Sequence, residues 1–341
     1  MNISKTISRR FLQPADEIVL CGIAGATMGQ EFQEQAEGVT SKFASPPSLP
    51  EWLQEELPFQ RRIFQNDGHE IHFIDEGAGP VVLLQHGNPT WCFLWRKVIR
   101  ILLKQNVRVV APDLIGLGLS DKPRDAKIHT LPFHADRIAA LARALGLQNV
   151  TIVGQDWGGP ILGLVAARNR ELVQGAVFAN TSLSAPHRRV RATAFHRFSN
   201  LPLLSDFAFR VLDFPIPVMH LVQGDRSSIG AKERRAYRYP LRSFKDRIAP
   251  LALARMVPTR LEHPTVQSLK EVDDWAGTFA GPVRLIWGTR DPIMGRALRS
   301  MTRLFPKAQV VETDAGHFLQ EEVPDVLSQT ILQVVSEQHQ K

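Results

Sequence analysis

The sequence predicts an α/β fold: a mostly parallel, eight-stranded sheet flanked by helices, with a helical cap inserted late in the chain. Three observations predict it. Short apolar runs at 81–84, 107–111, 150–153, 176–179, 283–287 and 310–311 are continuous rather than alternating, and turn residues bound them. Strands buried on both faces of a parallel sheet read this way. Helical patterns lie between the runs, as βαβ connections require. The alternation lapses at 182–274, a stretch rich in Phe, Leu, Pro and Arg, and then resumes.

Taken in order, residues 1–55 read as an N-terminal extension ending in the Ser/Pro-rich stretch 45–50. Within it, Ser8-Arg9-Arg10-Phe11-Leu12 resembles a twin-arginine export signal, and a short apolar run spans 18–28. Asp16 and Glu17 head that run, acidic Glu31, Glu34 and Glu37 follow it, and no clean small-x-small cleavage site appears. A cytoplasmic location is expected, with the periplasm as the alternative if the signal operates. Next, segments 61–65 and 70–75 flank Asn66-Asp67-Gly68, a strong hairpin signal. In the clearest helix, Ile138, Leu141, Ala142 and Leu145 repeat at i, i+3, i+4 and i+7, and Gly146 stands where a C-terminal cap belongs. The core domain is expected at 56–181 and 275–341. The cap, 182–274, follows the sixth strand and would cover the carboxyl ends of the strands, where open sheets bind ligands. Phe195, Phe198 and Leu204 are candidates for lining its pocket.

Composition narrows the function classes. In 341 residues, 44% hydrophobic and 22% charged content is that of a globular protein with a sizeable core. No uninterrupted apolar run nears the ~18 residues of a membrane span. Cys21 and Cys92 belong to no CxxC or Cys/His cluster, so both read as unpaired thiols; neither metal nor cofactor is expected. An excess of 41 basic over 34 acidic residues gives +7, with basic stretches at 187–197 and 232–247. Phe, Leu and Tyr interleave these arginines as on helices with one wet face. Neither nucleic acid nor a membrane is an expected partner on this reading, and the oligomeric state stays open.

The most informative segment is Val150-Thr151-Ile152-Val153-Gly154-Gln155-Asp156-Trp157-Gly158-Gly159-Pro160. A strand runs into G-x-D-x-G and then into a helix starting near Pro160, a residue favoured at helix starts. The usual elbow carries G-x-S-x-G. Asp156 changes the chemistry. Serine attacking saturated carbon forms an ether, which water does not readily open; a carboxylate forms an ester, which it does. With an ordinary pKa near ~4, a carboxylate needs no activating base. Asp156 is therefore the candidate nucleophile for displacement at sp³ carbon.

The base should follow the last strand, where Ala315-Gly316-His317-Phe318 supplies His317 to deprotonate the water that opens the ester. The orienting acid is customary after the sixth or the seventh strand. Ala179-Asn180-Thr181-Ser182 offers no carboxylate, whereas Gly288-Thr289-Arg290-Asp291-Pro292 offers Asp291. Backbone N–H groups of Trp157 and of Asn88, in Gln85-His86-Gly87-Asn88-Pro89, are placed to form an oxyanion hole. His86 reads as structural, and Asp113 as the organiser of the loop after the fourth strand.

The motifs H-G-N-P-T-W (86–91), A-P-D-L-I-G-L-G-L-S-D-K-P (111–123), G-Q-D-W-G-G-P (154–160) and A-G-H-F-L-Q-E-E (315–322) resemble haloalkane dehalogenases, members of the α/β-hydrolase fold. The likeness runs from about residue 58 to the C-terminus. An Asp elbow alone is shared with epoxide hydrolases and fluoroacetate dehalogenases; Asn88 together with Trp157 is narrower. The resemblance implies that the side-chain N–H groups of Asn88 and Trp157 bind the leaving halide, and that the partners are a small halogenated aliphatic substrate and the halide product. Residues 182–274 contain no tryptophan, which leaves Asn88 as the second donor. The Asp-His-Asp plus Asn-Trp pattern is that of the third dehalogenase subfamily, which is also similar to β-lactone decarboxylases of long-chain hydrocarbon synthesis. That activity is the alternative. Epoxide hydrolysis would need two converging cap tyrosines, and Tyr237 and Tyr239, two apart, do not share a helix face. A non-enzymatic relative would lack one of Asp156, Asp291 or His317.

Overall fold

A computed structural model describes residues 42–187 and 193–338. The twin-arginine-like segment and Cys21 lie outside them. The chain enters through β1 (Phe43–Ala44) and the one-turn helix α1 (Glu51–Gln54). The hairpin follows as β2 (Arg61–Asn66) and β3 (His69–Glu76). Its turn residues Asp67 (φ 48°) and Gly68 (φ 75°) are both left-handed, as a two-residue type I′ turn requires.

Strand and helix then alternate: β4 (Val81–Gln85), α2 (Arg96–Leu102), β5 (Arg108–Pro112), α3 (Leu131–Ala144), β6 (Val150–Gln155), α4 (Gly158–Arg168) and β7 (Val173–Ala179). In α3, Ile138, Leu141 and Ala142 are buried, Thr130 caps the start, and left-handed Gly146 ends it. Next come α5 (Ala194–Ser199), α6 (Leu204–Arg210), α7 (Ala231–Arg238), α8 (Ala249–Arg255) and α9 (Pro264–Thr278). The chain finishes with β8 (Val283–Gly288), α10 (Leu298–Leu304), β9 (Gln309–Thr313), α11 (Leu319–Glu322) and α12 (Pro324–Gln338).

The sheet order is β1-β2-β3-β5-β4-β6-β7-β8-β9, antiparallel up to the β3–β5 pair and parallel beyond it. One sequence expectation is corrected here. The sheet has nine strands among the described residues rather than eight, because Phe43 and Ala44 pair with Phe64 and Ile63. Two residues are too few to show a periodicity; ring packing of Phe43 on Phe64 and Phe73 holds them there. Within the stretch 1–55 expected to be an extension, Leu53 is fully buried and Phe43 packs against the core. Helix α9, which closes the stretch 182–274 expected to be the cap, packs on α4, with Val272 against Gly163, where a Cβ would come within 2.8 Å of it.

Candidate active site

Strand β6 ends at Gln155 and α4 begins at Gly158, so the chain reverses within two residues. Asp156 takes a left-handed φ of 51°, a strained conformation for a residue with a Cβ. The Thr181 hydroxyl donates to the Asp156 carbonyl (2.6 Å) and supports the turn. Glycine is required opposite: a Cβ on Gly87 would lie 2.3 Å from Asp156 Oδ1. The helix begins two residues before Pro160, its expected first position.

The two carboxylate oxygens of Asp156 have different surroundings. Oδ1 accepts the backbone N–H of Asn88 (2.8 Å), and the Trp157 N–H also bonds to the carboxylate. Oδ2 faces His317 Nε2 at 3.9 Å. Burial pushes the Asp156 carboxyl above the usual carboxylate range, against the pull of His317 and of the two N–H groups.

His317 is held from three sides. Its Nδ1 lies 2.9 Å from Asp291 Oδ2. Asp291 Oδ1 accepts the N–H groups of Ile293 (2.6 Å) and Met294 (3.0 Å), which leaves Oδ2 aimed at the imidazole. The His317 N–H donates to Val222 O of the cap (2.9 Å). Burial opposes a charged imidazole, but the charge and hydrogen bond of Asp291, with Asp156 behind them, outweigh it and raise the His317 pKa. With Nδ1 donating to Asp291, Nε2 carries the lone pair and faces Asp156.

Sequence reasoning missed two residues here. Asn180, set aside for lack of a carboxylate, is fully buried and left-handed (φ 38°). Its Nδ2 donates to the carbonyls of Gly316 (2.7 Å) and His317 (3.1 Å), and its Oδ1 accepts the Gly288 N–H (2.9 Å). One side chain thus ties the His317 loop to the strand that leads to Asp291. Gln155, one residue before the elbow, places its Nε2 3.2 Å from His317 Nε2. Asparagine at a strand end was a visible signal; Gln155, with its side chain inside a buried strand, had none.

The supporting loops take the expected places. His86 Nδ1 donates to Gly87 O (2.8 Å) and its Nε2 accepts the Leu114 N–H (3.0 Å), so both ring nitrogens are used. Buried Asp113 accepts from His72 Nδ1 (2.8 Å) and from the N–H groups of Cys92 (2.6 Å) and Leu119 (2.8 Å). Cys92, isolated in sequence, is therefore beside His72 and Asp113 in space; burial pushes its thiol pKa up.

Asn88, Asp156, Trp157 and His317 line one wall of a cavity of about 600 Å³. Its opposite wall is apolar, with Phe195, Phe214, Met219 and Leu269 among the lining residues. Of the cap candidates, Phe195 lines the cavity, Phe198 packs instead on Phe209 and Phe214, and Leu204 is exposed. The Asn88 Nδ2 group donates to Pro250 O of α8 (2.8 Å). Neither tyrosine reaches the cavity: Tyr237 is buried with its hydroxyl on Glu321 (2.6 Å), and Tyr239 packs on Trp52.

Residues 80–324 match the family model for the alpha/beta hydrolase fold. Haloalkane dehalogenase 2 of Mycobacterium tuberculosis is 34% identical over 287 residues, 81% of this chain and 95% of the relative. The chain belongs to the haloalkane dehalogenase family of α/β hydrolases. Another relative is the cis-3-alkyl-4-alkyloxetan-2-one decarboxylase of Shewanella oneidensis, 32% identical over 79% of this chain and 86% of its own length. Among solved structures, the haloalkane dehalogenase DatA from Agrobacterium tumefaciens C58 superposes with a TM-score of 0.73 at 25% identity, covering 82% of this chain and 97% of that one. Family membership thus agrees with an aspartate, not a serine, at the elbow.

Proposed function

We propose that this enzyme hydrolyses the carbon–halogen bond of haloalkanes, releasing alcohol and halide through an alkyl ester on Asp156. The observation that carries the reading is the division of labour between the two Asp156 oxygens. Oδ1 accepts the backbone N–H of Asn88, while Oδ2 is the oxygen that faces His317 Nε2, on a carboxylate that borders the cavity.

Oδ2 attacks the carbon bearing the halogen, and the carbon–halogen bond breaks with its electron pair leaving on the halide. The Trp157 indole N–H and the second hydrogen on Asn88 Nδ2, on two residues that line the cavity, are the donors proposed for the departing halide. Neutral donors stabilise charge that grows in the transition state without holding the product as a cation would. Apolar walls keep the carboxylate poorly solvated and reactive. Water then gives a proton to His317 Nε2 and attacks Cγ of Asp156. The negative charge develops on Oδ1, which already accepts the Asn88 N–H, with the Trp157 N–H on the same carboxylate. Collapse expels the alkoxide, which takes the proton from His317; the Asp156 proton passes to solvent. Asp291 keeps Nδ1 protonated and stabilises the imidazolium.

Single turnover of 1-bromobutane in ¹⁸O-labelled water tests this. The isotope is expected in the Asp156 carboxylate, and an unlabelled carboxylate with labelled alcohol would rule the ester out. The decarboxylase relative and the apolar cavity lining favour one second reading, decarboxylation of a β-lactone with alkyl chains. A long-chain cis β-lactone assayed beside 1-bromobutane separates the two by which substrate has the higher kcat/KM.

A further inference from the structure

The exposed apolar side chains of this protein are not scattered. Among the described residues, nine of the ten large hydrophobic side chains that face solvent lie at 201–261, in the cap; Val310 is the other. Helix α6 shows the pattern most clearly. Its inner residues Ser205, Ala208 and Phe209 are buried, and Phe209 packs on Phe214 of the cavity wall, ring centroids 5.2 Å apart. Its outer residues Leu204, Phe207 and Val211 follow at i, i+3 and i+7, and all are more than half exposed. A helix apolar on both faces is one that something covers. Leu203, before it, is 84% exposed and held at φ 63°, a left-handed conformation that leucine rarely adopts. Leu212, after it, is 58% exposed.

Charge is concentrated in the same region. Residues 193–263 hold twelve Lys and Arg against six Asp and Glu, an excess of six, where the whole chain has an excess of seven. The two features adjoin. Buried Arg247 donates to the carbonyls of Arg210 (3.1 Å) and Val211 (3.3 Å) and to that of Arg242 (3.1 Å), so the 241–247 turn is fastened to the end of α6. Exposed Arg242, Phe244 and Lys245 therefore flank Val211 and Leu212, and the Arg210 guanidinium lies 5.8 Å from the Phe244 ring. Farther along the cap, an open concavity of about 810 Å³ is lined by Arg234, Arg235, Arg238 and Arg242 with Trp52 and Tyr239. From sequence alone these arginines read as a solvated face with no membrane in view. Their neighbours in space alter that reading.

We infer that α6 and its flanking turns dock the protein on an anionic lipid surface, with Leu203, Leu204, Phe207, Val211 and Leu212 in the acyl boundary and Arg210, Arg242 and Lys245 among the headgroups. Apolar side chains ringed by cations are the composition of an interfacial anchor, which lies on a membrane without spanning it. No helix among the described residues is long and apolar enough to span one. A second copy of the chain is the poorer occupant, because it would set the same positive excess against itself. The inference goes beyond the dehalogenation reading and does not depend on it. Docked this way, the outer face of α6 meets lipid while its inner face backs the cavity wall, a short route for substrates that dissolve in bilayers.

The test is sedimentation of the full chain with vesicles of phosphatidylglycerol mixed with phosphatidylcholine, against vesicles of phosphatidylcholine alone. Wild type is expected to partition onto the anionic vesicles by about tenfold more, and salt should weaken the binding. Leu203→Ser with Phe207→Ser should lose about tenfold in partition while its turnover of dissolved 1-bromobutane stays at the wild-type level, which also reports an intact fold. Arg242→Gln with Lys245→Gln should weaken binding to anionic vesicles only. Wild type left in the supernatant, or binding indifferent to the Leu203/Phe207 change, overturns the inference. So does a dimer in analytical ultracentrifugation that the Leu203/Phe207 variant abolishes, since the face would then pair copies of the chain.

Discussion

The loops at the carboxyl edge of the sheet and the cap above them hold their side chains in opposite ways. At the sheet edge, backbone N–H groups and short polar side chains fix each functional atom. Asp156 Oδ1 and Asp291 Oδ1 are held by N–H groups, and Asn180 fastens the His317 loop. In the cap, phenylalanines pack on one another without directional bonds, as in the Phe195, Phe198, Phe209 and Phe214 cluster, of which Phe195 and Phe214 line the cavity. Directional bonds set geometry to tenths of an ångström; dispersion sets shape and volume. Under the proposed function, the difference assigns rate to the sheet edge and substrate range to the cap.

Substitutions can break or sharpen that contrast. Asp156→Ala should cost the most, on the order of 10⁶ in halide release, because the nucleophile is gone. His317→Ala should lower turnover on the order of 10⁴ but leave the first half-reaction, so the alkyl-enzyme should accumulate in intact-mass measurement. An unmodified mass with a substrate the wild type turns over would assign His317 another role. Asp291→Asn should cost on the order of 10³ and also move the pH profile. His317 acts as a base only when neutral, and its pKa is raised, so wild-type activity falls as pH drops through a value above the ordinary ~6.5. Without the Asp291 charge that acid limb should shift to lower pH; an unmoved limb would detach it from His317. Trp157→Phe should lose about 10² in kcat/KM, more for a chloride than for the better-leaving bromide. The smallest effect belongs to the cap: Phe195→Ala should change KM by about tenfold, differently for short and long substrates, with ester hydrolysis untouched. A large fall in the hydrolysis rate from that variant would dissolve the contrast.

Legibility in the sequence followed the same division. The elbow, the hairpin turn and the parallel strands were readable because each rests on a local requirement: small residues around a reversal, left-handed φ at Asp67 and Gly68, apolar runs for strands buried on both faces. Asp156, Asp291 and His317 could be named because each follows a strand end, and strand order orders them along the chain. The edge strand at Phe43 could not, since two residues carry no period and its place depends on pairing with β2 and on the rings of Phe64 and Phe73. What α9 packs on could not be read either, because its apolar spacing is the same whether it covers a pocket or a neighbouring helix; Val272 meets Gly163 of α4.

The sequence by itself determined the chemistry available to this protein, because the residue at the elbow dictates whether the intermediate is an ester at all, and its backbone demands are local. Only the tertiary structure decided which Asp156 oxygen accepts the Asn88 N–H and which faces His317, that Asn180 rather than a carboxylate fastens the His317 loop, and which faces of the cap meet cavity or solvent. Those outcomes depend on contacts between segments far apart in the chain, and no local pattern encodes them.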